Sequence, residues 1–253
     1  MPPGGREYDA ASNKRFASRL LALFGIVFAA LGWSPSYRED WLLENVLVLL
    51  LVPFLITTYQ RLPLSKVSYG AIFIFLCLHE VGAHYTYAEV PYARWGSELL
   101  GAHFDTLFAW ERNHFDRLVH FLYGLLVVYP VREVFLRVAN VTGFWGYLLP
   151  ILVVMSSSLL FELFEWAAAL VFGGDLGMAY LGTQGDVWDS HKDSLLATLG
   201  ALLSSLGIAF VHWKLDRDFT REWIESLRVK HSSPMGEVAI ERMRKDREGE
   251  TGR

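Results

Sequence analysis

Glu162 and Glu165 are the residues of this sequence most in need of a chemical explanation. They lie three apart, on one face of a helix, inside an apolar run from about 144 to 172. Neither is close enough to an end of that run to act as a cap. Glu165, seven residues before the end, would sit about 10 Å deep in a bilayer. A charged side chain at the centre of a membrane helix costs about 2.5–3.5 kcal/mol on insertion scales, so such groups face the bundle interior. Three more carboxylates, Asp186, Asp189 and Asp193, fall within eight residues of the stretch Gly182-Thr183-Gln184-Gly185-Asp186-Val187-Trp188-Asp189-Ser190-His191-Lys192-Asp193. Asp116 and His120, four apart, share a helix face, and His79, Glu80 and His84 gather at the end of another apolar run.

Acids and imidazoles in this mixture can do two kinds of chemistry. They can act as general acid and base, with proton affinities tuned by burial; the candidates are Asp116, His120, Glu162, Glu165, Asp186, Asp189 and Asp193. They can also hold a divalent ion, because mixed carboxylate and imidazole ligands suit Zn, Mn or Fe, and paired carboxylates on bundle helices can hold two metals. The candidate ligands are His84, His120, Glu162, Glu165, Asp189 and Asp193. The positive residues at hand, Arg112, Arg117 and Lys192, are outnumbered by the acids, so protons, water or a bound cation must supply the rest.

Plainer roles stand beside these. Asp116 or Asn113 would cap the helix that follows, and Asp189 or Asp193 would complement the positive end of theirs. His79 would serve as a satisfied core histidine, with His191 and Lys192 solvated. His79-Glu80 with His84 is not a zinc-protease helix, since the second histidine stands at i+5 where that motif needs i+4. Gly182-Thr183-Gln184-Gly185 reads as a tight turn, not a phosphate cradle. Cys77 is the single cysteine, which rules out an intramolecular disulfide and a Cys-x-x-Cys site.

The elements that must position these residues are membrane helices. Of 253 residues, 53% are hydrophobic and 15% aromatic, more apolar than a soluble domain of this length. A net charge of −4 excludes a nucleic-acid binder. Six runs, at about 17–33, 41–59, 66–85, 116–137, 144–172 and 194–213, are long enough to cross a bilayer, at roughly 20 residues each. Pro53 and Pro150 inside them are tolerable where neighbouring helices re-satisfy the freed carbonyls. The sequence therefore predicts an all-α, polytopic membrane bundle of about six transmembrane helices spanning 17–213, after a polar N-terminal tail, 1–16. Lys and Arg concentrate in one alternating set of segments, which places both termini in the cytoplasm. Loops 34–40, 86–115 and 173–193 then face outward. So do the acids and imidazoles of four helices, all at one depth. Apolar residues at near-helical spacing from Trp95 to Trp110 predict a helix at about 90–112, lying in the outer interface or capping the bundle. The tail, 214–253, begins amphipathic and ends polar and disordered.

Tyr85-Thr86-Tyr87-Ala88-Glu89-Val90-Pro91, Phe115 to Phe121, Glu162 to Trp166 and Leu181 to Asp193 together resemble the YjdF-like inner-membrane proteins. That resemblance covers about 17–213 and implies a multi-pass protein of the bacterial inner (plasma) membrane with no assigned biochemistry. A weaker likeness, to VanZ-like proteins linked to glycopeptide-antibiotic tolerance, rests on Asp116 to Phe121, Glu165, and Asp193 with Gly200. Ala197 stands where that family has Asn.

Three functions fit. The first is a membrane-embedded, metal-dependent enzyme that opens outward and takes a lipid-linked or cell-envelope substrate from the bilayer. The second is a proton- or cation-coupled transporter, against which stand the confinement of the acids to one face and the lack of an inverted repeat. The third is a structural or accessory envelope protein with a polar network that fixes helix register.

Overall fold

A computed structural model describes residues 9–100, 112–174, 182–215, 218–230 and 234–251. Among them every regular element is helical: α1 (Ala10–Gly32), α2 (Arg38–Glu44), α3 (Val46–Thr58), α4 (Lys66–His84), α5 (Tyr92–Leu100), α6 (Phe115–Val138), α7 (Trp145–Phe172), α8 (Asp189–Leu215), α9 (Phe219–Ser226) and α10 (Met235–Thr251). Five helices (α1, α4, α6, α7 and α8) are long and apolar enough to cross a membrane, and the bent pair α2–α3 makes a sixth span if counted as one.

The second span is not the continuous helix that the run 41–59 suggested. It bends by 40° at a break between Glu44 and Val46. Asn45, fully buried, fills the break and turns its amide nitrogen back onto the Trp41 carbonyl at 2.9 Å. Pro53 stays inside α3 without breaking it. The first helix also starts earlier than expected, because Asp9 accepts from the Ser12 amide at 2.9 Å and caps it there.

The chain ends of α1, α4 and α7 and the starts of α6 and α8 lie on one side, called here the site side; the opposite side is the tail side. On the tail side, Asn13 of α1 donates to the Leu64 carbonyl and accepts from the Tyr59 hydroxyl. Glu133 of α6 accepts from the Ser65 amide and the Ser68 hydroxyl, so α6 caps α4. Helix α9 docks under α7 through Trp223, whose ring lies against Phe144 and Tyr147, and the Ser226 hydroxyl accepts from the Phe144 amide at 2.9 Å. The far tail, expected to be disordered, holds α10, in which Lys245 and Glu241 pair at 3.0 Å and the described side chains are exposed.

Helices α6 and α8 run parallel, and the approach of their backbones sets the rest. A Cβ on Gly124 would collide with the Ala197 carbonyl and the Ala201 amide, and one on Gly200 with the Phe121 carbonyl and the Leu125 amide. Small residues at a membrane-helix interface permit such contact. The register puts Asp116, two turns before Gly124, level with Asp193, two turns before Gly200. Below that level, Val128, Ile151, Val154 and Ala201 form a buried apolar layer shared by α6, α7 and α8.

Candidate functional site

The register of α6 and α8 has a chemical result. Ligand atoms of Asp116, Asp189 and Asp193 lie within 4.8 Å of one another. Beside them, His120 Nε2 stands 3.6 Å from Asp116 Oδ1 and 3.4 Å from Glu162 Oε1. Both separations exceed the usual 2.7–3.2 Å of an N–H···O hydrogen bond. Asp193 Oδ1 and Glu162 Oε1 are buried and have no hydrogen-bond partner among the described residues. Ser190 and Glu165 flank the Glu162 carboxyl. Helices α6, α7 and α8 therefore bring Asp116, His120, Glu162, Glu165, Asp189 and Asp193 to one place.

The positive charges are used at the rim. Arg112 grips Asp189 with two bonds, Nη1 to Oδ1 at 2.7 Å and Nη2 to Oδ2 at 3.1 Å. Arg117 Nη2 donates to Asp186 Oδ2 at 2.5 Å and to Asp189 Oδ1 at 3.1 Å, and Lys192 Nζ reaches Asp186 Oδ2 at 2.6 Å. Lys192 is thus paired, not simply solvated. The Lys192 ammonium first, then the Trp188 amide and Arg117, hold the Asp186 carboxyl well below the usual carboxylate range. Burial, and then Arg117 and Arg112, lower the His114 imidazole from its ordinary value. Among the described residues, no Lys or Arg forms an ion pair with Asp116, Asp193, Glu162 or Glu165. Asp189 keeps room for one more contact, since a carboxylate has about four lone-pair positions and three are occupied.

The Gly182–Gly185 turn is a clasp. Gln184, at φ +47°, accepts from the Asn113 amide at 2.9 Å and donates to the Asn113 carbonyl at 3.0 Å. Arg112 adds a bond to the Thr183 carbonyl at 3.2 Å. The start of α6 is served by Asn113, whose Oδ1 accepts from the Phe115 amide, which leaves Asp116 free to face the cluster. Helix α5 packs Trp95 edge-on to Tyr85, over a core of Tyr87, Val90, Phe115 and Val119. The remainder of the range expected for a helix at 90–112, from 101 to 111 and including His103, lies outside the described residues.

His84 stands apart from the acids: its Nδ1 meets the Leu31 carbonyl of α1 at 2.7 Å. His79 instead belongs to the neighbourhood of the site. Burial, reinforced by the charge of Glu44, raises the Tyr87 phenol well above its ordinary value. It therefore keeps its proton, and its hydroxyl hydrogen-bonds with His79 Nδ1 at 2.5 Å.

Of a second acidic group the sequence pointed only to Glu80. Asp40 and Glu44 of α2 and Glu80 of α4 are all at most 3% exposed, and Asn45 lies beside them. The Trp41 indole and the Asn45 amide approach Glu80 without closing a bond of normal geometry. The signal was present, because Asp40 and Glu44 are four apart on one face at the entry of an apolar run. It was masked by reading 34–40 as loop.

A cavity of about 630 Å³ adjoins the site, with His79, Tyr87, Asp116 and His120 at one end and Leu47, Leu51 and Phe54 of α3 along its wall.

The family model described as predicted membrane protein, DUF2238, matches residues 16–214. The inner membrane protein YjdF of Escherichia coli (strain K12) is 36% identical over 189 residues, covering 74% of this chain and 86% of that protein. No solved structure matches. The chain belongs to the DUF2238 family of predicted membrane proteins.

Proposed function

We propose that this member of the DUF2238 family is a divalent-cation-dependent enzyme of the bacterial inner membrane, working at the outer face on a lipid or cell-envelope substrate. The inner-membrane assignment follows the name of its YjdF relative. The tail side is placed in the cytoplasm by the bias of Lys and Arg. The observation that carries the proposal is the meeting of Asp116, Asp189 and Asp193, with a buried Asp193 oxygen left unpartnered among the described residues. Carboxylates in a low-dielectric site need a positive partner, and the local arginines are committed to Asp186 and Asp189. Three carboxylate oxygens with one imidazole nearby suit Mn or Zn. Such an ion would polarise a substrate oxygen or activate a bound water. His120, between Asp116 and Glu162, is placed to take and return a proton through one water. The apolar layer of Val128, Ile151, Val154 and Ala201 beneath the cluster supports an enzyme over a transporter, since it offers an ion no polar path inward.

The test is the metal content of protein purified in detergent without chelators, alongside Asp193→Asn and Asp116→Asn, followed by titration with Mn and Zn. The proposal expects one or two ions per chain in the parent and loss in both variants at unchanged helical content. A parent that carries no ion and binds neither Mn nor Zn refutes it.

A further inference from the structure

We infer that the substrate of this site is an amphiphile from the adjoining bilayer leaflet, its hydrocarbon chain seated in the cavity between α3, α4, α6 and α7 and its polar head at Asp116 and His120. The chemistry at the head rests on the enzyme reading above; the seat of the chain rests on the cavity. The space is open on one side, and at about 630 Å³ it far exceeds a water molecule. Water is a poor occupant of the α3 side of this space, where Leu47, Leu50, Leu51 and Phe54 offer no polar side chain, since a buried water needs two to four polar partners. The wall also opens sideways. Leu50 and Phe54, which line it, are 65% and 61% exposed. In a membrane span the medium that meets such side chains is lipid hydrocarbon, so the cavity is continuous with the protein's bilayer-facing surface.

The two ends differ in kind. From Leu47 to Phe54 the α3 wall runs about 10 Å along the helix with no polar side chain. At the site end, His79, Tyr87, Asp116 and His120 close it. Ser158, one turn from Glu162 towards the tail side, also lines the cavity, and its buried hydroxyl has no hydrogen-bond partner among the described residues. It offers a donor to an oxygen near the junction of head and chain. The carboxylate-rich end repels an anionic head unless a cation lies between, so a phosphate-bearing lipid is held through the ion and a neutral head directly. The site thus takes its substrate laterally from the membrane, and not from the aqueous phase.

The full chain is reconstituted in nanodiscs containing a trace of phospholipid with a photoactivatable diazirine at mid-chain, and the adducts are mapped by mass spectrometry. Adducts should concentrate on 47–54, 119–123 and 157–161, about tenfold above the bilayer-facing positions Leu199 and Leu203 of α8. Leu51→Trp, which fills the cavity from its wall, should reduce them about tenfold, while Leu203→Trp leaves them unchanged. Leu47→Phe, a milder filling at the rim, repeats the test if Leu51→Trp fails to fold. Labelling spread evenly over the lipid-facing helices, or unaltered by the filling variants, overturns the inference and identifies boundary lipid only. Mn titration of the same samples separates the two proposals. Localised labelling without ion binding retains the chain seat and removes the cation, and ion binding with even labelling does the reverse.

Discussion

Gly124→Ala tests whether the approach of α6 to α8 builds the site. The added methyl would overlap the Ala197 carbonyl and the Ala201 amide, which are backbone atoms and cannot rotate away. The helices must separate or shift, and overpacking of this kind costs about 1–3 kcal/mol. At about 2–4 °C per kcal/mol for a chain of this length, the melting temperature in detergent should fall by several degrees. The displacement also separates Asp116 on α6 from Asp189 and Asp193 on α8, whereas metal ligands must hold their distances to about 0.2 Å. Affinity for Mn should therefore drop about 10–100-fold, the loss typical when residues that orient ligands are removed. Gly207→Ala, on α8 with nothing within 4 Å of the new methyl, should change neither quantity. Fluorescence-monitored melting reads the packing and calorimetric titration with Mn reads the site. Unchanged melting and unchanged affinity in Gly124→Ala would refute the claim that this contact sets the alignment of the carboxylates.

Three further outcomes follow from other contacts. Glu133→Ala removes the acceptor of the Ser65 amide and Ser68 hydroxyl and the partner of Arg137; it should destabilise by about 2–4 kcal/mol yet leave Mn affinity intact, because it lies on the tail side. Asp186 is held below its unfolded value, so its contribution to stability is complete above about pH 4 and is lost only as pH falls through the lower folded value. The difference in melting temperature between the parent and Asp186→Asn should therefore stay constant from pH 7 to pH 5, and a shrinking gap over that range contradicts the assignment. Glu80 is fully buried without a closed hydrogen bond among the described residues, so the isosteric, uncharged Glu80→Gln should melt no lower than the parent at pH 8, and a loss of several degrees would contradict that reading.

Much of the architecture could be read without coordinates. The helices came from long apolar runs, and the candidate residues from acids and imidazoles set in them, because a charge inside a bilayer span is costly enough to demand a reason. Asp116, His120, Glu162, Glu165, Asp189 and Asp193 were found in that way, and they do meet. Local polarity misled where it was ambiguous. Asp40 and Glu44 looked like loop and helix entry, and the bend at Asn45 was invisible, because an asparagine in an apolar run does not announce a break. His84 was included for its depth alone, yet it turns to the Leu31 carbonyl on the neighbouring helix.

Sequence alone determined the class of fold and the number of spans to within one, since both follow from hydropathy and helical spacing within single segments. Only the tertiary structure decided which charges neutralise each other and which are left over. Arg112 and Asp189 are 77 residues apart, and Gly124 touches α8 more than seventy residues downstream. Those pairings come from the contact of helix faces and their register, which no local pattern records. The same register commits the arginines to the rim and leaves Asp116, Asp193 and Glu162 without a Lys or Arg partner among the described residues.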